Sequence, residues 1–144
     1  GEEYQINQGI LEMIKSGIVF ETNNVDKWMD CGNPEATVDT NKELLEIKLN
    51  EGLNLRDPSS ELINSKIISP CFIGKNVVIK NSTIGPGTSI GEGTEVDNCS
   101  LKNCLIQNNS YLKDLALNKA MIGNYVHYEG NHKFVSIGDY SKLK

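Results

Sequence analysis

"CFIGKNVVIKNSTIGPGTSIGEGTEV", residues 71–96, places Ile73, Ile79, Ile84, Ile90 and Val96 five or six positions apart. An amphipathic helix repeats at about 3.6 residues and a half-buried strand at about 2, so neither accounts for the spacing. The register extends in both directions. Large aliphatics recur at Ile67, Leu101, Ile106, Leu112, Leu117 and Ile122, and Tyr128, Ile137 and Leu143 continue the series less evenly. Two positions before each stands a residue of small or modest size, such as Cys71, Val77, Ser82, Thr88, Thr94, Cys99, Cys104, Ser110 and Ala120.

Grouped in threes, these positions give coils 67-73-79, 84-90-96, 101-106-112 and 117-122-128, with 137-143 opening a fifth. The first three coils advance by 17, 17 and 16 residues. The expected columns are Ile67/Ile84/Leu101/Leu117/Ile137, Ile73/Ile90/Ile106/Ile122/Leu143 and Ile79/Val96/Leu112/Tyr128. Strand-sized rungs on three faces would pile these residues above one another at about 4.8 Å. Each buried aliphatic would contribute roughly 1.5–3 kcal/mol. Gly74, Gly85, Gly87, Gly91 and Gly93, with Asn76, Asn81, Asn98 and Asn103, suit corners that need positive φ. A sandwich of turn-rich strands is the ordinary alternative, and a period sustained over this many positions speaks against it.

"IGKNVV", "IGPGTS" and "IGEGTE" resemble the hexapeptide-repeat family. That resemblance implies a mainly β fold, a left-handed parallel β-helix, which is an exception to the right-handed crossover rule.

Residues 1–52 carry no hexads. "NQGILEMIKSG" puts Ile10, Leu11 and Ile14 on one helical face and stops at Gly17. "IVFET" and "VDKW" read as two short strands around Asn23-Asn24. A second helix starts with Asn33 as cap and Pro34 at the first helical position and runs to Gly52. The expected organisation is a small α/β part over 1–52, a linker over 53–61 and the β-helix over 62–144. Two helices and a hairpin make too little core to stand alone, so they should pack on sequence outside this chain or on the end of the β-helix. A fragment of a longer protein is therefore expected.

"GEEYQIN" and "KWMDCGNPEATVDTN", followed by hexapeptide repeats, resemble the C-terminal part of a long-form sugar-1-phosphate nucleotidylyltransferase. The subgroup most similar is the glucose-1-phosphate thymidylyltransferases. The α/β part would then be a remnant of the catalytic domain. The resemblance implies that Glu3 binds sugar hydroxyls and that Asp30, in W-x-D-x-G, shares a catalytic Mg²⁺ with an earlier aspartate. The chain departs from the family at Glu2, where glycine is usual, and at Asn7-Gln8, where Thr-Asp is usual.

In that family a sugar-1-phosphate oxygen attacks the α-phosphorus of a nucleoside triphosphate and pyrophosphate leaves. Such chemistry calls for carboxylates around a divalent cation and an acceptor for sugar hydroxyls. The family's G-G-x-G-T-R-L-x-P loop, which cradles the triphosphate, is not in this sequence. Nor is its Lys-Pro sugar-phosphate segment. "IGPGTSIGEG" belongs to the hexad series and opens no helix, so it is not a phosphate loop. The chain alone is expected to catalyse nothing, its role being structural, and to form a homo-oligomer through its β-helix. On position alone, Asp30 is equally a cap for the following helix.

A net charge of −5 gives no basic footprint, so neither nucleic acid nor an anionic membrane is an expected partner. Four cysteines without secretory features suggest reduced thiols in a cytoplasm. Cys71, Cys99 and Cys104 occupy the small position before a core aliphatic, and packing explains them better than zinc. Two rivals remain. Hexapeptide acyltransferases use a His base with acyl-CoA, and of His127 and His132 the second lies within the nine-residue step from Tyr128 to Ile137, so residues 129–136 read as a loop holding His132. The other rival is a purely structural oligomerisation module.

Overall fold

A computed structural model describes residues 5–130 and 136–143. The repeat folds as a mainly β solenoid of about four turns with parallel sheets, accompanied by two helices. Wall one contains β2 (Lys66–Ile67), β5 (Thr83–Ile84) and the leading halves of β8 (Ser100–Ile106) and β10 (Ala116–Ile122). Wall two contains β3 (Cys71–Ile73), β6 (Thr88–Ile90), the trailing halves of β8 and β10, and β12 (Ser136–Ile137). Wall three contains β1 (Glu61–Ile63), β4 (Val78–Lys80), β7 (Glu95–Asp97), β9 (Tyr111–Lys113), β11 (His127–Glu129) and β13 (Lys142–Leu143). Segment 55–57 adds a lower rung beneath wall two: Ile73 N–H donates to Leu55 O at 2.8 Å, and Asp57 N–H to Ile73 O at 2.9 Å.

The aliphatic ladder is the core. Ile73, Ile90, Ile106 and Ile122 stack in register on wall two and are all at most 2% exposed. Ile67, Ile84, Leu101 and Leu117 form the column of wall one. The residues two positions earlier also point inward, because side chains along a rung alternate. Their small size fits the tight corner, and the hydroxyls among them sew one coil to the next. Thr94 Oγ1 donates to Gln107 O at 2.9 Å and accepts from Ser110 N–H at 3.2 Å, and Ser110 Oγ repeats the pattern with Gly123 O and Val126 N–H.

The register of the last coil differs from expectation. Ile137 pairs with Ile122, not with Leu117, and Leu143 pairs with Tyr128, not with Ile122. The nine-residue interval after Tyr128 thus counts as about two steps, which carries the chain past wall one to wall two. Wall three also starts one step of the repeat earlier than the series reached, with Leu62 paired to Ile79.

Corners use asparagine as expected. Asn64, Asn81, Asn98 and Asp114 have φ between 48° and 56° and stand above one another. Their side chains hydrogen-bond along the column: Asn64 Nδ2 donates to Asn81 Oδ1 at 3.0 Å and Asn98 Nδ2 to Asp114 Oδ1 at 2.6 Å. Gly74 and Gly91 are a correction, since neither has positive φ. Glycine stands there because coils approach closely: a Cβ on Gly74 would lie 2.9 Å from the Glu92 backbone nitrogen.

Both helices form where the sequence places them. Helix α1 (Ile6–Lys15) ends with Gly17 at φ +93°, where Ile18 N–H returns to Met13 O. Helix α2 (Pro34–Asn50) is capped by Asn33, whose Oδ1 accepts from Ala36 N–H at 2.9 Å, and closes at Gly52. The expected strands at "IVFET" and "VDKW" do not form. Residues 18–28 are irregular and exposed, with Val19 at 85% and Trp28 at 83%, and no neighbouring strand offers them a ladder. Helix α2 does not pack on the solenoid end, as one alternative had it. It lies along the outer side of wall two against β6, β8 and β10, burying Val38 and Leu45.

Candidate functional site

Asp30 stands at the rim of an open cleft of about 480 Å³ between the segment Trp28–Asp30 and α2. The sequence positions it by a bend: Gly32 follows, where a Cβ would stand 3.3 Å from the Asp30 carboxylate, and Asn33 then starts the helix. The helix cap is Asn33 itself, so the capping role weighed for Asp30 is filled by another residue. Thr37 Oγ1 donates to Asn33 O at 2.8 Å and to Cys31 O at 3.2 Å, fixing the W-x-D-x-G block to the first turn of α2.

Helix α2 supplies Asp39, Glu43 and Glu46 to the facing side of the cleft. Two of these are already partnered, Glu43 by Lys27 and Asp39 by Lys119 at 3.7 Å. Lys119 also holds Glu35 at 2.8 Å, and this hydrogen bond and charge keep the Glu35 carboxyl below its usual range. The same partners raise Lys119. Among the described residues no group of three His, Cys, Asp or Glu is arranged to hold a metal. Asp30 is exposed, and one accessible carboxylate fits Mg²⁺, which takes one or two carboxylates together with phosphates and water. By itself it is a single carboxylate, not a cage.

Glu3 and His132 lie outside the described residues. His127 sits on the outer side of wall three, its ring stacked on Tyr111 at 4.8 Å and its Nε2 3.5 Å from Glu129. The cysteines divide as packing predicts: Cys71, Cys99 and Cys104 are buried and Cys31 is exposed. No helix among the described residues is long and apolar enough to cross a membrane.

No family model matches the chain. A glucose-1-phosphate thymidylyltransferase of Streptomyces antibioticus is 25% identical over 162 aligned positions, covering 99% of this chain. The chain is thus a distant homologue of a sugar-1-phosphate nucleotidyltransferase, matched to its C-terminal part. It spans 45% of that relative's length.

The polar contacts between α2 and wall two were not visible in the sequence. Asn41, Gly87 and Ser89 are separated by 46 and 48 positions, and Glu35 from Lys119 by 84. No periodicity marks such pairs.

Proposed function

We propose that this chain is the C-terminal part of an enzyme that joins a sugar-1-phosphate to a nucleoside triphosphate with loss of pyrophosphate, its substrates being glucose-1-phosphate and dTTP. One observation carries the reading: the likeness to a thymidylyltransferase runs over 99% of the chain, helical part and solenoid alike. In this reading residues 1–52 complete the catalytic domain, 53–61 link it, and 62–144 support it and mediate self-association. The exposed apolar side chains Ile6, Leu11, Val19, Val25 and Trp28 accord with it, because large apolar side chains exposed in such number are normally covered by further protein.

Asp30 would share Mg²⁺ with a carboxylate of the nucleotide-binding region, and Glu3 would accept hydrogen bonds from the sugar. The ion, when bound, offsets charge on the phosphates and aligns the displacement. Asp30 contributes by keeping its carboxylate on a short tether to the first turn of α2, a fixed position at the cleft rim.

The experiment has two arms. The chain alone, given glucose-1-phosphate, Mg²⁺ and dTTP, should release no pyrophosphate, and sustained release would overturn the division of labour. The protein extended upstream in its reading frame should turn over, and Asp30→Asn should lower kcat by at least about tenfold through loss of a metal ligand. An extended protein with no pyrophosphate release from any nucleoside triphosphate would overturn the reading.

A further inference from the structure

The outer side of wall three carries a column of charge that changes sign at every rung. Lys80, Asp97, Lys113 and Glu129 share one register position on β4, β7, β9 and β11. Each follows a core residue (Ile79, Val96, Leu112 or Tyr128) by one place, so the alternation along a strand turns it outward. Beside it runs a second column, Val78, Glu95, Tyr111 and His127. All eight are at least partly exposed, and α2 lies on wall two, away from them. Attraction between neighbouring rungs would be the ordinary use of alternating charge. Here no lysine of the column comes within 4.0 Å of a carboxylate above or below it. Asp97 instead accepts from Asn81 Nδ2 at 3.1 Å.

We propose that wall three is the contact between two copies of this chain, related by a two-fold axis lying along the strand direction, midway between β7 and β9. Such a rotation keeps each residue's place along the strand and reverses the order of the rungs. Lys80 then faces Glu129 of the second copy, Asp97 faces its Lys113, and the same two pairs recur by symmetry. In the adjoining column Glu95 faces the phenol of Tyr111, a hydroxyl donor for a carboxylate, and Val78 faces His127. The axis sits at the centre of the six-stranded sheet, so the whole wall, about 29 Å tall from six strands at about 4.8 Å, overlaps.

The competing arrangement fails on charge. A two-fold axis parallel to the solenoid keeps rungs level, setting Lys80 against Lys80 and Asp97 against Asp97, or, one column over, Asp97 against Glu95. Like charges opposed across an interface are strongly unfavourable. A wall this narrow falls at the small end of protein contacts, below the roughly 800 Å² per partner of a standard interface. The dimer is therefore concentration-dependent and weakened by salt. This inference deepens the self-association reading above and is independent of the catalytic one.

The test is sedimentation of the 144-residue chain and three variants, with circular dichroism to confirm folding. The wild type should dimerise. Asp97→Lys and Lys113→Glu should each weaken the dimer at least about tenfold, since each opposes like charges twice. Mixing the two variants should restore association. In the mixed pair the lysine introduced at position 97 faces the glutamate introduced at position 113, and the remaining Lys113 faces the remaining Asp97. The double variant Asp97→Lys/Lys113→Glu should likewise dimerise. If the single variants associate like the wild type, wall three is not the contact, although self-association stands. If the wild type is a monomer at every concentration, both ideas fall. Weakened single variants that regain nothing on mixing would overturn the proposed symmetry.

Discussion

Ser89 on wall two and Asn41 in the middle of α2 are joined by a hydrogen bond of 2.7 Å, with Ser89 Oγ as donor and Asn41 Oδ1 as acceptor. The Asn41 amide nitrogen then donates to Gly87 O at 3.2 Å. Val38 and Leu45, one turn to either side on the same stripe, supply the apolar part of the contact. Asn41→Ala would leave the Ser89 hydroxyl and Gly87 carbonyl without these partners in a part-buried site. A loss of about 1–3 kcal/mol in urea unfolding is expected. Glu46→Ala, on the exposed side of α2, should stay within about 0.5 kcal/mol.

The position of Ile137 can be checked by coupling. It pairs in register with Ile122, not with Leu117. Residues in contact show non-additive losses of about 0.5–3 kcal/mol, whereas separated ones add. In double-mutant cycles of alanine replacements, Ile122 and Ile137 should couple, and Leu117 and Ile137 should add. Equal coupling in both cycles would contradict the register.

The solenoid was legible because its core is written locally. Every large core residue from Ile67 to Tyr128 stands five or six positions after the last, and one rung fixes the next through parallel pairing. The register was lost after Tyr128, where a nine-residue interval does not say whether it holds one step or two. Helix ends were legible too, since Asn33, Pro34, Gly17 and Gly52 act within a turn of their own positions. Residues 18–28 were misread because "IVFET" has strand propensity without a strand to pair with, and propensity alone does not make a ladder. The site was legible only in part. Asp30 was singled out by its W-x-D-x-G setting, and the structure gives it a rim position, while its neighbours across the cleft come from α2 through folding that no short motif records.

Two glycines should respond to alanine in opposite ways. A Cβ on Gly91 would meet the Asn108 side chain and stand 2.8 Å from the Gln107 backbone carbon, so the coils would have to separate. Overpacking of this kind costs about 1–3 kcal/mol, and Gly91→Ala should lower the denaturation midpoint accordingly. Gly9 lies inside α1 with nothing within 4 Å of its would-be Cβ. Gly9→Ala should favour the helix by about 0.5–1 kcal/mol. Because α1 buries none of its residues, the gain should appear as helicity by circular dichroism and leave the solenoid transition unmoved.

Thiol chemistry should report the solenoid's integrity and set a limit on the alkaline side. Cys31 is exposed, whereas Cys71, Cys99 and Cys104 are buried. Burial pushes the Cys99 and Cys104 thiols up to about 11 from an ordinary 9.0, and raises Cys71 in the same direction. The thiolate is the reactive form, so a disulfide reagent at neutral pH should titrate one thiol in the native protein and four after denaturation. Rapid native labelling of more than one would mean that the walls open. The sign of the pH effect follows from the same burial. The native state holds these protons more tightly than the unfolded chain, which releases them near 9, so their contribution is complete below pH 9 and is lost as pH rises towards about 11. The urea midpoint should fall over that interval, and replacing Cys104 by Ala, a residue that wall two already carries in register at Ala120, should flatten the fall. An unchanged slope in Cys104→Ala would assign the alkaline loss to other groups.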